Sequence, residues 1–200
     1  WEGEVKNDLL NGKALFVSAD GSSHEGEWVD FIPTGFGRAD DGAGSSWEGE
    51  FKDWLLNDKG IYVNFNGDIY KGDFVNGFLE GQGTYTTKKG VEVTGEFKRD
   101  YLNGKGTWKY ANGDVDSGNF KSDLLHGYGT RVFANGDKYE GNFIEGHPNK
   151  GKMIFQNGDV YVGSYKENFR EGKGTYTYKN GDKYVGSYLG GLESGYGVFT

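Results

Sequence analysis

The chain contains no cysteine. That excludes a disulfide framework and a thiolate metal site, and it suits a reducing compartment without requiring one. No apolar run approaches the ~20 residues that cross a bilayer as a helix. There is no signal-like leader, and a chain that opens on Trp1 instead of methionine reads as a segment excised from a longer one. Histidine is scarce: His24, His126 and His147 stand far apart at no ligand spacing, which reads as surface or strand positions and not a metal or catalytic centre. Basic charge is short in the front part, where residues 1–92 carry 17 acidic against 8 basic side chains, net −9, while residues 93–200 are net +1. Such a balance disfavours nucleic acid, whose binding depends on neutralising phosphates with Lys and Arg. Helical periodicity is missing from every long window, since Gly or Pro interrupts each candidate.

What the chain has in abundance is glycine, 37 residues, and aromatic rings. Both obey one period. Aligned on an aromatic followed two residues later by glycine, the chain divides into nine repeats of about 23 residues: 1–23, 24–46, 47–69, 70–92, 93–115, 116–138, 139–160, 161–183 and a partial 184–200. We number places within a repeat from its first residue. Of the glycines, 32 fall at places 3, 12, 14 and 21, so glycine is architectural here and not a mark of low complexity.

In each repeat two alternating segments flank turn chemistry, as in Val93–Phe97 and Gly106–Tyr110 around an expected loop through Lys98 to Gly104. The side-chain period of two then puts places 1, 3 and 5 on one face, with places 14, 16 and 18 beside them on the next strand. Glycines at places 3 and 14 leave room for a ring to lie flat over the backbone. The closing Asn-Gly-Asp, as at Asn112–Asp114 and Asn180–Asp182, supplies residues that tolerate positive φ and joins one hairpin to the next. The expected fold class is all-β: an elongated, twisted, single-layer antiparallel meander in one continuous array over 1–200. About eighteen strands at ~4.8 Å each give a ribbon on the order of 85 Å.

The motif, seen at Trp47-Glu-Gly-Glu-Phe51, Tyr70-Lys-Gly-Asp-Phe74 with Gly81-Gln-Gly-Thr-Tyr85, Tyr139-Glu-Gly-Asn-Phe143, and Gly172-Lys-Gly-Thr-Tyr176 with Asn180-Gly-Asp182, resembles the MORN repeat, the membrane occupation and recognition nexus motif. The resemblance covers the whole chain. It implies hairpins in one extended sheet serving as a scaffold or docking surface with no enzyme activity and no cofactor, of the all-repeat cytoskeletal type that often dimerises. Expected partners are therefore proteins and a second copy of the chain, in a cytoplasmic, cytoskeleton-associated setting. The alternative is a peripheral membrane module that binds acidic phospholipid or phosphoinositide.

Candidate residues follow. An aromatic groove would comprise Trp28, Trp47, Phe51, Tyr70, Phe74, Tyr85, Phe97, Trp108, Tyr110, Phe120, Tyr139, Phe143, Tyr161, Tyr165, Tyr176, Tyr184 and Tyr188. The charge-free, proline-free C-terminal segment offers Tyr196, Val198, Phe199 and Thr200 as a dimer edge. Lipid contact would fall to Lys150, Lys152, Lys166, Arg170 and Lys173, interleaved with acids that blunt the field. Carboxylates at place 4, Glu4, Glu27, Glu50, Asp73 and Glu96, would form a ladder on the polar face. Apolar pairs at places 9 and 10, such as Leu9-Leu10, Leu55-Leu56, Phe78-Leu79, Tyr101-Leu102 and Leu124-Leu125, are expected to fold back over the rings, or else to form a partner stripe. Repeats depart from the pattern at Val5, Ser18, Ala39, Asp41, Val93, Asp116 and Asn149, places suited to caps, kinks or partner contacts.

Overall fold

The computed structural model describes residues 1–200 and contains strands and turns but no helix. The chain divides into two compact units, Trp1–Tyr101 and Leu102–Thr200. The first holds β1 (Glu2–Lys6), β2 (Leu9–Val17), β3 (Ser23–Val29), β4 (Ile32–Asp40), β5 (Ser46–Lys52), β6 (Leu55–Val63), β7 (Ile69–Val75), β8 (Phe78–Thr86) and β9 (Glu92–Lys98). The second holds β10 (Tyr101–Lys109), β11 (Val115–Lys121), β12 (Leu124–Val132), β13 (Lys138–Ile144), β14 (His147–Ile154), β15 (Val160–Lys166), β16 (Phe169–Thr177), β17 (Lys183–Leu189) and β18 (Leu192–Phe199). Within each unit every strand pairs antiparallel with the next in sequence, giving an all-β meander.

Two turn types alternate along this meander. Inside a repeat the strands are joined by two residues that both adopt left-handed φ, such as Arg99 (49°) with Asp100 (68°) and Ser122 (48°) with Asp123 (67°). These are the primed turns whose twist matches that of paired strands. The loop expected through Lys98 to Gly104 is thus only Arg99-Asp100, and β10 starts at Tyr101. Asn103-Gly104, which reads as turn chemistry in sequence, lies inside the strand, where glycine at place 12 supplies positive φ (133° at Gly104, 75° at Gly127) for a bulge. The seventh repeat is one residue short at this same feature: β14 has 8 residues where most of its equivalents have 9, and Asn149 takes no positive φ.

Between repeats, Asn-Gly-Asp closes a wider loop. Gly113 takes φ 93°, the Tyr110 N–H donates to the Asp114 carbonyl at 2.9 Å, and the Asp114 N–H donates to Asn112 Oδ1 at 3.0 Å. Only the glycine needs the left-handed region; the Asn and Asp serve as hydrogen-bonding groups. Asp114 Oδ1 also accepts the Ala134 N–H at 2.8 Å, and Asp137 and Asp159 accept those of Gln156 and Lys179 in the same way. The aspartate therefore ties each loop to the next. At the opposite edge the Asp123 and Gly146 N–H groups donate to the Leu102 and Leu125 carbonyls. Both sets satisfy backbone groups that a bare sheet margin would leave unpaired.

The register places 1, 3 and 5 opposite 16, 14 and 10 across a hairpin, as in Asp116↔Arg131, Gly118↔Gly129 and Phe120↔Leu125. These six places make the packed face. The apolar pairs at places 9 and 10 are split by strand alternation: Leu10, Leu56, Leu79, Leu102 and Leu125 are buried, while Leu9, Leu55, Phe78, Tyr101 and Leu124 are exposed. Only half of each pair folds back over the rings.

What place 10 holds decides how the core is built. With leucine there, its Cδ atoms fill the space over the place 3 and 14 glycines, as Leu79 does over Gly83 and Leu125 over Gly129. In those repeats the place-3 glycine is stretched to φ 148–153° (Gly49, Gly72, Gly95, Gly118), a conformation that L side chains avoid. With Pro33, Pro148, Arg170 or Glu193 at place 10, the place-1 ring turns in to cover the glycines instead. Tyr139 lies over Gly141 and Gly151, Tyr161 over Gly163 and Gly174, Tyr184 over Gly186 and Gly197, and His24 over Gly26 and Gly37. A Cβ on Gly163 or Gly174 would overlap the Tyr161 ring. The same switch moves the ring from a half-exposed rim (Trp47, Tyr70) into the core, where Tyr139 and Tyr161 are both 0% exposed.

Candidate docking surface

Because Leu56 and Leu79 occupy the glycine row, the rings at places 1 and 16 of the third and fourth repeats stay at the surface and stack on one another. Trp47 and Tyr62 lie 5.1 Å apart at 15°, Tyr62 and Tyr70 5.5 Å at 25°, and Tyr70 and Tyr85 4.6 Å at 34°. All four are half-buried, and Tyr85 donates to Asp68 Oδ2 at 3.4 Å. Partial burial pushes the Tyr70 hydroxyl well above the ordinary tyrosine range, with Tyr85 reinforcing it, so Tyr70 stays neutral at physiological pH.

The row is broken in the second repeat. Register sets Phe16 opposite His24, His24 opposite Ala39 and Ala39 opposite Trp47. His24 turns inward, 3% exposed, with edge-on contacts to Trp28 (5.1 Å) and Phe51 (4.6 Å), and burial pushes its pKa down to about 4. It is a core histidine on a strand. Ala39 offers no ring, and a cavity of about 330 Å³ opens beside it.

In the second unit the equivalent row carries an ion pair. Asp116 is fully buried, and Arg131 donates from Nε to Oδ1 and from Nη2 to Oδ2, each at 2.6 Å, with Tyr110 donating to Oδ2 at 3.0 Å. The Arg131 guanidinium sits 5.5 Å from the Phe143 ring centre. Burial, with the Asp116 carboxylate beside it, raises the Tyr110 hydroxyl to about 12.

The structure sorts the sequence candidates into two groups. Trp28, Phe51, Phe74, Phe97, Phe120, Phe143, Tyr139, Tyr161, Tyr165, Tyr184 and Tyr188 are buried against the chain's own side chains and form core, not groove. Trp47, Tyr70, Tyr85, Trp108, Tyr110 and Tyr176 remain half-exposed. Tyr62, also in the stacked row, was missed as a candidate although its place 16 carries the signal.

Arg170 is no free lipid contact. Its Nε and Nη2 donate to the Gly191 carbonyl at 3.1 and 2.6 Å, and its guanidinium lies 5.1–5.7 Å from the Tyr188, Tyr176 and Tyr161 ring centres. Unlike leucine at place 10, it leaves the glycines to the Tyr161 ring. Lys150, Lys152, Lys166 and Lys173 are exposed; Lys150 and Lys173 line a shallow groove of about 620 Å³ with Val162, Val185, Tyr196 and Val198. At the C-terminal segment, Tyr196 and Val198 face that groove, Phe199 lies on the ring face 5.8 Å from Tyr178, and Thr200 exchanges backbone hydrogen bonds with Lys183. The place-4 carboxylates do not form an unbroken ladder. Lys13 stands opposite Glu27 and Phe36 opposite Glu50, and Lys59 forms an ion pair with Asp73.

Hairpins repeated with rings and glycines at fixed places define a β-repeat protein. The chain belongs to the MORN-repeat family, whose model matches residues 1–23, 70–91, 94–115, 117–138, 139–160, 161–183 and 184–200. Residues 24–69 lie outside those matches yet form the same hairpins, β3 with β4 and β5 with β6. No curated protein sequence matches the chain. Among solved structures it is similar to the G-box domain of the microcephaly protein CPAP, described as suggesting a role in centriole elongation (11% identity, TM-score 0.57, covering 94% of this chain and 98% of that one). It is also similar to the TCP10 domain of Danio rerio CPAP (12% identity, TM-score 0.50, covering 87% and 83%). At these identities the likeness is one of fold.

Proposed function

We propose that this chain is a non-catalytic docking array that holds protein segments against its half-exposed ring row, as part of a cytoplasmic, cytoskeleton-associated assembly, and that β18 pairs with a second copy. The observation that carries this reading is the stack Trp47–Tyr62–Tyr70–Tyr85, four adjacent rings held at the surface by leucines beneath them. Exposed aromatic area on a rigid element is what protein interfaces use as anchors. The sheet architecture shared with CPAP domains is consistent with a scaffold, and the cytoskeletal setting is part of the proposal.

The test pairs Tyr62→Ala and Tyr70→Ala with the native chain in cells by proximity labelling. Variants that melt within a few degrees of the native chain should lose most of its labelled neighbours; an unchanged set of neighbours overturns the reading. For self-association, light scattering should show a mass that falls when Val198 or Phe199 is changed to Glu. The lipid alternative rests on Lys150, Lys152, Lys166 and Lys173 without Arg170. At about 1 kcal/mol per basic residue near an anionic surface it gives weak attachment. Liposome pelleting at physiological salt that depends on these lysines would favour it over protein docking.

A further inference from the structure

The cavity beside Ala39 is where the ring row lacks a member, and the second unit shows what the same position can hold. Ala39 and Arg131 both occupy place 16, in the second and sixth repeats. Arg131 reaches over Phe143, the place-5 ring of the following repeat. The ring equivalent to Phe143 beside Ala39 is Phe51, and it lines the cavity. Around it stand Phe16, His24, Trp47 and Trp54, and Asp40, next to Ala39 on the strand, also lines it. Asp40 Oδ1 accepts the Gly42 N–H at 2.7 Å, and the carboxylate keeps further acceptor capacity. At Ala39, then, the rings are present with a carboxylate on the adjacent residue, and the guanidinium is not.

We propose that this cavity receives an arginine side chain from a basic segment of a partner protein, its guanidinium against Trp47 and Phe51 and its charge answered by Asp40. Three features fix that choice of occupant. The chain twice seats its own arginines against rings, Arg131 on one and Arg170 among three. The surrounding charge is complementary, since residues 1–92 are net −9 and the neighbouring turn adds Asp20, whose hydrogen bonds from Ser22 hold its carboxyl below the ordinary range. The planar guanidinium stacks on aromatic faces and pairs with a carboxylate at once, which an ammonium does less well. Inner-lying His24 is neutral at physiological pH and does not repel the cation. The inference rests on the docking reading above and names the chemistry of one anchor within it.

The test uses the full chain and small probes. N-acetyl-arginine methylamide is titrated while the indole N–H signals of Trp47 and Trp54 are followed by NMR, beside the citrulline analogue, which keeps the shape and loses the charge. Arginine should shift both signals with saturation, and citrulline should bind at least about threefold more weakly. Asp40→Asn should weaken arginine by about two- to fivefold, the range of an exposed ion pair. Ala39→Arg, which supplies the side chain from within, should remove the response; Ala39→Gln controls for simple filling and should retain preference for arginine over citrulline in whatever binding remains. Equal binding of arginine and citrulline, or an arginine response that persists in a folded Ala39→Arg chain, overturns the proposal. If arginine fails to bind while Tyr62→Ala and Tyr70→Ala still abolish partner labelling, only this inference falls and the docking reading stands.

Discussion

At the scale of single residues, the departures from the repeat are the informative ones. Asp116 and Arg131 replace two rings with a buried, bidentate ion pair. Two charges taken out of water gain little over two apolar side chains, but a lone buried carboxylate is costly. Arg131→Met should therefore destabilise the chain by about 3–5 kcal/mol, while the double change Asp116→Tyr with Arg131→Met, the combination found at Tyr139 and Met153, should recover most of that loss in urea unfolding. His24 has a different liability, because its buried Nε2 finds no hydrogen-bond partner. Its folded pKa is about 4 against an ordinary 6.5. Between those values the unfolded chain takes up a proton that the folded chain refuses, so stability falls as pH drops through 6.5. The loss, on the order of 3 kcal/mol, is complete below about 4. His24→Tyr would copy the seventh repeat, which also has proline at place 10 (Pro148, as Pro33 here) and where the Tyr139 hydroxyl donates to the Asn142 carbonyl at 3.2 Å. The difference in melting temperature between pH 7 and pH 4.5 should shrink in that variant; an unchanged difference would show that His24 does not set the acid limit.

Hairpins fall into a leucine form and a ring form, and the two should respond differently to the same mutation. Tyr161→Ala removes a fully buried ring that covers two glycines, so about 3–5 kcal/mol should be lost. Tyr70→Ala removes a rim ring whose glycines remain covered by Leu79, and its cost should stay near 1 kcal/mol. Comparable costs in denaturant unfolding would contradict the two-form core. Much of the hairpin was legible in the sequence. The period gave the strand pairs, and the idea that rings lie over place 3 and 14 glycines is realised at Tyr139, Tyr161 and Tyr184. The choice between forms was not legible, because it depends on place 10 meeting place 5 across a bulge. Asn103-Gly104 gave the same composition signal as a turn, so the strand start at Tyr101 was hidden, and with it the alternation that buries Leu102 while exposing Tyr101. The docking surface was legible only as a list of rings; which ones remain reachable required knowing that leucine beneath pushes a ring outward.

Across the whole molecule the two units differ in the pH limits their cores impose. In residues 1–101 His24 is expected to weaken the fold as pH falls. The alkaline limit belongs mainly to residues 102–200, where burial raises the hydroxyls of Tyr110, Tyr139 and Tyr176 to about 12 and pushes those of Tyr161, Tyr165 and Tyr188 up as well. In the first unit Tyr70 is shifted in the same direction. An unfolded tyrosine releases its proton near 10, so between 10 and 12 the folded state holds protons that the unfolded state gives up, and stability falls as pH rises. With six such rings against one, the second unit should weaken first. The tryptophans provide a built-in readout, because Trp1, Trp28, Trp47 and Trp54 lie in the first unit and only Trp108 in the second. Urea unfolding at pH 7 and pH 10.8 can then be followed by tryptophan fluorescence and by far-ultraviolet circular dichroism. The dichroism midpoint, which senses all strands, should drop further at pH 10.8 than the fluorescence midpoint, which senses mostly the first unit. A fluorescence midpoint that falls as far or further would mean that the leucine-form hairpins, and not the tyrosine-rich ones, are the alkaline weak point.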